Sequence, residues 1–463
     1  MAGANTPNEG ADELNERILL SQVSTVNVNY NILGSVDGDV ASLTSEVSVV
    51  KVIADTENNY FVCDNGDDSN EGVSPFLPFR TFEKGMSKFN SLPAGGSIYF
   101  CNGGNFPFVT APLLFNRNCN IDNPCVISSY QAPNIISTAK PVISSLDGNT
   151  VFNFSEGGNA DFDGGYYIKG LILKTDISKD FGIFVYNDVD DLTVDSLVID
   201  GFRVGIYLAG TNDLNEGTDQ YNKRFILRNS EIINNADQGF LGGCTDCSIV
   251  SNLFDNNGYA KRVFNHNIYL GLHGDSNILV ANNILRKSAV IEGKCSGVSL
   301  VVHGEVKNLT IENNTIEEDI GGVEAGCWGI AVDPGYSREE SFTNVLIKNN
   351  NIINVGNVAI GCSSCVNVLI ENNNIYNGND IGLSNIKIPS KMEDLVRSDQ
   401  VVIRNNTMVN SNVGSQVVGV NITLESGEPL IEGNQLFYSH DLAVCQMING
   451  EEIINEGACK KSN

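Results

Sequence analysis

Three short apolar segments of the chain each carry one residue that can transfer a proton. The segment "NIYLGL" contains Tyr269, "VSLVVHG" contains His303, and "GIAVDPG" contains Asp333. Successive side chains of a strand point to opposite faces, so placing the apolar side chains inward turns these three residues outward. Tyr207 in the earlier segment "GIYLAG" has the same phase. The pattern predicts one outer face that bears a tyrosine, a histidine and a carboxylate, which are groups used in acid–base catalysis.

The loops near these segments add further residues with suitable chemistry. Three of the four histidines and the single tryptophan lie between positions 266 and 328. The predicted catalytic residues are Tyr269, His303, Glu305, Glu324 and Asp333. The predicted substrate-binding residues are His266, His273, Arg286 and Trp328. The alternative is that all of them are hydrogen-bonded surface residues on an irregular face.

Two reactions fit these residue types. A histidine, tyrosine or lysine base beside a group that neutralises a uronate carboxylate suits β-elimination of a polysaccharide. Asp333 paired with Glu305 or Glu324 suits glycoside hydrolysis, provided that the two carboxyl groups have the required separation. The chain contains no metal-ligand spacing, no Ser/His/Asp signature and no phosphate-binding glycine loop. We therefore predict no cofactor for the reaction.

A repeated asparagine phrase indicates which elements position these residues. The segment "VLIENNNIYNG" recurs in related form, as in "LTIENNTIEED" and "VLIKNNNIINV". Short strands without intervening helices, repeated at this spacing, are typical of a solenoid of stacked coils. Asparagines at one coil position can bond to one another, which satisfies buried amides that would otherwise cost about 1–3 kcal/mol each. The second asparagine of each doublet lies at position 283, 314, 350, 373 or 406, and a single asparagine at 252 precedes them. Neighbouring positions in this series are 23 to 36 residues apart.

The predicted fold class is all-β, a right-handed, single-stranded parallel β-helix. In this respect the chain resembles the pectate-lyase-like superfamily over at least two-thirds of its length. A β-sandwich does not fit, because a sandwich does not reuse one phrase at one position. We predict four parts: an N-terminal attachment and oligomerisation segment at 1–57, a cap at 58–135, the β-helix at 136–448, and a C-terminal cap or tail at 449–463.

The segment 59–106 resembles the N-terminal cap of many parallel β-helix proteins. It combines a short strand, the turn residues Gly66, Asp68, Asn70 and Gly72, a "PFRT" step, a short helix and a second strand. The acidic residues of this turn suit Ca²⁺, which prefers oxygen ligands. The favoured interpretation is that they bond to the backbone of the turn itself.

Apolar residues between Leu19 and Val50 recur at alternating steps of three and four. This spacing predicts a short helical coiled coil that makes the protein an oligomer. A single amphipathic helix and an irregular β-rich stalk are the alternatives.

The twelve cysteines suggest local disulfides. We predict the pairs Cys63–Cys101, Cys119–Cys125, Cys295–Cys327 and Cys445–Cys459. The two CxxC pairs, Cys244/Cys247 and Cys362/Cys365, are several coils apart, which is too far for one shared zinc ion. They are predicted to be disulfides or inert buried thiols.

Charge and hydropathy exclude several functions. A formal net charge of −28 without a basic stripe argues against nucleic-acid binding. No apolar run approaches the ~20 residues that span a bilayer, so we expect no membrane partner. The N-terminus lacks a basic region followed by an apolar one, so we expect no secretory signal.

An N-terminal oligomerisation segment followed by a capped β-helix resembles a tailed-phage tailspike. The resemblance implies a homotrimer in the virion tail or outside the cell. Its N-terminal segment would join other tail proteins, and its β-helix would bind, and sometimes cleave, surface polysaccharide of the host. The alternatives are a secreted bacterial polysaccharide lyase or glycoside hydrolase, and a non-catalytic structural or adhesive β-helix protein.

Overall fold

The computed structural model describes the chain from position 58 to 461 with short gaps, together with four residues nearer the N-terminus. The described residues are 26–27, 48–49, 58–133, 135–155, 163–186, 188–210, 222–272, 275–390, 394–411, 414–425, 427–439, 442–453 and 459–461. Val26–Asn27 and Ser48–Val49 are two-residue strands that pair antiparallel. These strands differ from the helical coiled coil predicted there, and the rest of that segment lies outside the described residues.

Three sheets of thirteen strands run along the molecule, and the chain visits them in turn. The strands of the first sheet are Asn59–Val62, Ser97–Cys101, Cys125–Tyr130, Asp163–Lys169, Val189–Asp195, Ile226–Arg228, Ser248–Val250, Asp275–Ala281, Val306–Glu312, Phe342–Lys348, Cys365–Glu371, Asp399–Arg404 and Leu430–Glu432. Those of the second sheet are Asn105–Phe108, Val142–Ser145, Ile172–Thr175, Val198–Asp200, Glu231–Ile233, Leu253–Asp255, Ile284–Arg286, Thr315–Glu317, Asn351–Ile353, Asn374–Asn377, Thr407–Asn410, Gln435–Tyr438 and Cys459–Lys461.

The third sheet positions the predicted site. Its strands are Leu113–Leu114, Phe152–Phe154, Phe181–Tyr186, Val204–Ala209, Gln238–Gly242, His266–Leu272, Leu300–Gly304, Ile330–Val332, Val358–Cys362, Leu383–Ile388, Val417–Ile422, Ala443–Ile448 and Glu451–Ile453. Only the last of these pairs antiparallel to its neighbour. A parallel sheet whose strands are separated by one full coil is a β-helix, and such crossovers are right-handed. The predicted right-handed parallel β-helix is confirmed.

An asparagine ladder fills the corner between the first and second sheets. Within it, the backbone N–H and the Nδ2 of Asn350 donate to the Oδ1 of Asn373, at 2.9 and 3.0 Å. The same Nδ2 donates to the carbonyl of Ile311 at 2.9 Å. This confirms the predicted ladder, which the structure extends by one member. The predicted members are Asn252, Asn283, Asn314, Asn350, Asn373 and Asn406, and the added one is Asn434.

The residue before each ladder asparagine makes the turn. Asn349 and Asn372 each have a φ of 56°, in the left-handed region that asparagine tolerates better than most residues. In each doublet the first asparagine therefore turns the chain and the second supplies the buried amide.

A second, exposed ladder crosses the outer surface of the first sheet and was not predicted. In it the Nδ2 of Asn308, Asn344 and Asn367 donates to the Oδ1 of the preceding member, at 2.7 to 2.9 Å, starting from Asn277.

The segment 59–106 contains the elements that the sequence predicts for it. The helix Phe82–Met86 begins after Thr81, whose Oγ1 accepts from the backbone N–H of Lys84 at 3.2 Å. A 3₁₀ turn, Phe89–Ser91, follows. The carboxylate of Asp68 accepts from the N–H groups of Arg80 and Thr81, at 2.8 and 3.0 Å. This is the hydrogen bonding that the turn interpretation assigns to the acidic residues.

The twelve cysteines form six disulfides. They are Cys63–Cys101, Cys119–Cys125, Cys244–Cys247, Cys295–Cys327, Cys362–Cys365 and Cys445–Cys459. The predicted pairs are confirmed, and both CxxC motifs form disulfides. In the described part of the chain, no helix has the length and apolarity needed to cross a bilayer.

Candidate functional site

The register of the third sheet brings three predicted residues together. Tyr269 pairs with Val301, and Gly271 pairs with His303 on the next coil. The ring centroids of Tyr269 and His303 are 5.3 Å apart. The Nδ1 of His303 lies 3.6 Å from the Oδ1 of Asp333 on the following coil. These contacts place the three side chains in one cluster on the outer face of the sheet.

The hydrogen bonding of His303 defines its tautomer. Its Nδ1 lies 2.6 Å from the backbone carbonyl oxygen of Asp333. A carbonyl oxygen can only accept, so Nδ1 carries the proton and Nε2 of the neutral ring carries the lone pair. The side chains of His303 and Asp333 are 17% and 23% exposed. A substrate can therefore reach a histidine that is oriented as a base, with a carboxylate close enough to stabilise its charged form.

Two tyrosines flank the histidine. Tyr336, which the sequence analysis missed, is hydrogen-bonded to Tyr269. Its ring centroid lies 5.9 Å from that of His303. Burial raises the pKa of both tyrosines above its usual value. Both hydroxyls are therefore protonated at neutral pH, so neither acts as a base.

A buried carboxylate fixes the loop that carries Tyr336. Glu340 accepts from the N–H of Gly304, beside His303, at 2.8 Å, and from the N–H of Gly335 at 2.9 Å. It also accepts from the N–H of Tyr336 and that of Ser337, both at 2.5 Å. One carboxylate thus ties the strand of His303 to the loop above it. The segment "DPGYSREE" offered two adjacent glutamates as a signal, but not which backbone groups they bind.

The close approach of this loop depends on a glycine. A Cβ at Gly335 would lie 2.5 Å from Cγ of His303. Any larger side chain at position 335 would therefore displace the imidazole or the loop.

His266 is buried beneath the cluster. It is 4% exposed, and its ring stacks on Tyr269 with centroids 5.6 Å apart. Burial lowers the pKa of His266 to about 3, so the ring is neutral near pH 7. Its contacts suit support of Tyr269 better than direct binding of a substrate.

A cleft adjoins the cluster at Asp333. It has a volume of about 210 Å³. Its floor includes Ala331 and Gly361, which are paired neighbours on successive strands. The predicted Trp328 lines it, as does Lys387, which the sequence analysis missed. The outward phase of Lys387 in the strand Leu383–Ile388 was the available signal.

The other predicted residues lie elsewhere or are engaged elsewhere. Glu324 forms an ion pair with Arg262, at 2.5 Å. Arg286 lies on the second sheet and pairs with Asp255 at 2.8 Å. Glu305 is exposed at the corner between the third and first sheets. His273 lies outside the described residues.

Two groups in the described part of the chain bring carboxylates close to cysteines. They are Asp64 with Cys63 and Cys101, and Glu318 with Cys295 and Cys327. In each group the two cysteines form a disulfide and so offer no thiolate ligand.

No protein-family model and no curated protein matches the sequence. Among solved structures, the chain is similar to the A-module of mannuronan C-5 epimerase AlgE6 from Azotobacter vinelandii. The identity is 16%, over 82% of this chain and 94% of that one, with a TM-score of 0.49. It is also similar to a rhamnogalacturonan lyase, with 12% identity over 75% and 87% of the two chains and a TM-score of 0.45. A third similar structure is the Dettilon tailspike protein, with 10% identity over 85% and 68% and a TM-score of 0.44.

At these identities and TM-scores the likenesses do not bear on reaction or substrate. The fold rests on the chain's own three sheets, which run parallel from coil to coil along the described residues. They make it a right-handed parallel β-helix protein.

Proposed function

We propose that this protein binds a polysaccharide along the outer face of its third sheet and cleaves it by β-elimination at His303. The observation that carries the proposal is the contact between Nδ1 of His303 and the carbonyl of Asp333, at 2.6 Å. It leaves Nε2 as the basic nitrogen of a partly exposed ring, with two protonated tyrosines beside it.

These groups supply the base and the acid of the reaction. Nε2 of His303 takes the proton from the carbon next to the carboxylate of a uronic acid. The electron pair of that C–H bond forms a carbon–carbon double bond, and the glycosidic C–O bond breaks. The leaving oxygen takes a proton from the hydroxyl of Tyr269 or Tyr336. The carboxylate of Asp333 stabilises the imidazolium that forms.

Hydrolysis by two carboxylates has less support. It needs a second carboxyl group opposite Asp333. Glu324 is engaged by Arg262, and Glu340 accepts four backbone N–H groups. Elimination needs one base and one acid that are not a pair of carboxyl groups, and the cluster contains a histidine and two tyrosines for these roles.

The elimination predicts a specific product. Incubating the purified protein with uronate-containing polysaccharides should produce shortened chains whose new conjugated double bond absorbs ultraviolet light. His303→Ala should lower this rate at least 100-fold, in the range of a lost general base. Glu317→Gln, an exposed change on the second sheet, is the matched control. Shortened chains without the absorbance would replace elimination by hydrolysis, and unchanged turnover in His303→Ala would remove His303 from the reaction.

The biological setting that we propose is a tailed-phage tailspike on the virion. In this setting residues 1–57 join three copies and attach them to other tail proteins. The heptad-like spacing from Leu19 to Val50 supports this. A secreted bacterial lyase would instead be a monomer. A non-catalytic rod needs no clustered ionisable groups, and the cluster around His303 speaks against it.

The oligomeric state tests this setting separately from the chemistry. Light scattering should give a trimer for the full chain and a smaller species for a chain that begins at Asn58. A monomeric full chain would contradict the tailspike assignment and leave the proposed elimination standing.

A further inference from the structure

The outer face of the third sheet changes character along its length. One column of outward residues, in register over eight successive strands, passes from aromatic to small to basic. Its members are Phe184, Tyr207, Leu241, Tyr269, Val301, Ala331, Gly361 and Lys387. At about 4.8 Å per strand the column spans roughly 34 Å. The cluster around His303 lies between its two ends.

The aromatic end forms a platform, which we define as Phe181, Phe184, Tyr186 and Tyr207. All four rings are only partly buried. Phe184 stacks between Phe181 and Tyr186, with centroid separations of 5.0 and 5.9 Å. Tyr207, on the next coil, lies 5.5 Å from Phe184. Partly exposed rings held by one another on a rigid sheet offer preformed apolar surface to a ligand.

The charge beside the platform is balanced. The guanidinium of Arg203 lies 4.8 Å from the centre of the Phe181 ring. Its Nη1 is also 4.0 Å from the Oδ2 of Asp237. This pairing leaves the platform suited to the apolar face of an uncharged sugar ring.

The opposite end of the column has other chemistry. The cleft there is bounded by Trp328, Asp333 and Lys387 over the small residues Ala331 and Gly361. The Lys387 ammonium supplies a positive charge for a carboxylate, and the indole supplies an aromatic wall. In a protein with a net charge of −28, an acidic ligand needs such a local cation.

We infer that the ligand is a mixed polysaccharide whose uncharged sugars stack on the platform while an acidic sugar occupies the cleft. The inference rests on the proposed function for its ligand class. It adds the composition and direction of the chain, which runs along the solenoid axis past His303.

Calorimetry at low salt with three polymers distinguishes binding at the platform from binding in the cleft. Hyaluronate alternates an uncharged sugar with a uronate, polygalacturonate is acidic throughout, and dextran is uncharged. We expect hyaluronate to bind most tightly. Tyr207→Ala should weaken the binding of hyaluronate and of dextran roughly 2- to 10-fold and leave the binding of polygalacturonate unchanged. Tyr376→Ala, an exposed tyrosine on the second sheet, is the matched control.

The basic end has its own variant and its own reporter. Lys387→Ala should weaken the binding of both acidic polymers and leave the binding of dextran unchanged. Lys174→Ala on the second sheet is the control. Trp328 is the only tryptophan, so its fluorescence reports occupation of the cleft alone. Saturating hyaluronate should still change this fluorescence in Tyr207→Ala.

The outcomes distinguish the inference from the proposed reaction. Equal binding by Tyr207→Ala and Tyr376→Ala, or tightest binding of polygalacturonate, would overturn the inference. The expected binding pattern without any cleavage would remove the elimination and keep the inference. If none of the three polymers bound, both would fall.

Discussion

The buried asparagine ladder should contribute more to stability than the exposed one, and Asn350→Ala tests this. The Asn350 side chain takes part in four hydrogen bonds. Its Nδ2 donates to Ile311 and Asn373, and its Oδ1 accepts from the N–H and the Nδ2 of Asn314, both at 3.0 Å. The residue is fully buried, so water cannot replace these partners.

The structure sets the size of the effect. Truncation removes the acceptor of the Asn314 backbone N–H and the side-chain donor to the Ile311 carbonyl. Each buried group left unsatisfied costs about 1–3 kcal/mol. The Nδ2 of Asn314 keeps its bond to Val280, so it adds little. For two such groups we expect the free energy of unfolding to fall by about 2–6 kcal/mol, a large part of the 5–15 kcal/mol typical of a domain.

Asn344→Gly is the matched control, because Asn344 lies in the exposed ladder of the same coil. Its side chain also bonds to two asparagines, Asn308 and Asn367. Water can satisfy all these groups, and glycine accepts its φ of 58°. We expect a loss below about 1 kcal/mol. Urea unfolding, followed by circular dichroism and Trp328 fluorescence, measures both variants. Equal losses in the two would refute the view that burial of the amides makes the ladder stabilising.

Three further changes test the buried Glu318 and two residues of the loop beside His303. Burial raises the pKa of Glu318 to about 8, above its unfolded value near 4.5, so its contribution to stability is complete at low pH and is lost as pH rises to about 8. Urea midpoints should show this loss in the wild type and a smaller one in Glu318→Gln; parallel pH profiles would contradict it. Gly335→Ala should lower the cleavage rate more than tenfold without changing circular dichroism, because the new Cβ meets His303; a wild-type rate would show that the loop can shift. Glu340→Gln should lower kcat more than polysaccharide affinity, since an amide cannot accept all four N–H groups; an equal loss of affinity would indicate general unfolding of the loop.

The fold could be predicted because its signal repeats. Each doublet such as Asn372–Asn373 marks one corner of one coil, and a corner fixes the phase of the strands on both sides. Within the strands of the third sheet, the alternation of apolar residues was sufficient to place Tyr269, His303 and Asp333 on one face. The disulfides followed from similar local order, because both cysteines of each pair lie within the same or adjacent coils.

The rest of the site could not be predicted because it depends on loops. The loop from Asp333 to Glu340 folds back over the strand of His303, and nothing in a strand pattern tells where an inserted loop returns. Tyr336 and Glu340 were missed for this reason. Arg286 was included as a neighbour in sequence, although the chain crosses to the second sheet before reaching it. Residues that are close in sequence can lie on different sheets of one coil, on opposite sides of a corner. Residues at matching positions of successive coils are adjacent in space.

The molecule keeps its stabilising amides and its candidate chemistry on different parts of each coil. The ladder occupies the corner between the first and second sheets, and the His303 cluster lies on the outer face of the third. Because the apolar core separates them, outward residues of the third sheet can vary from Phe184 to Lys387 without touching a ladder amide. Changes at distant, independent sites have additive effects on stability. The double variant Asn350→Ala/Lys387→Ala should therefore show the same loss of stability as Asn350→Ala alone. It should also show the same loss of affinity for acidic ligands as Lys387→Ala alone, with no coupling between the two effects.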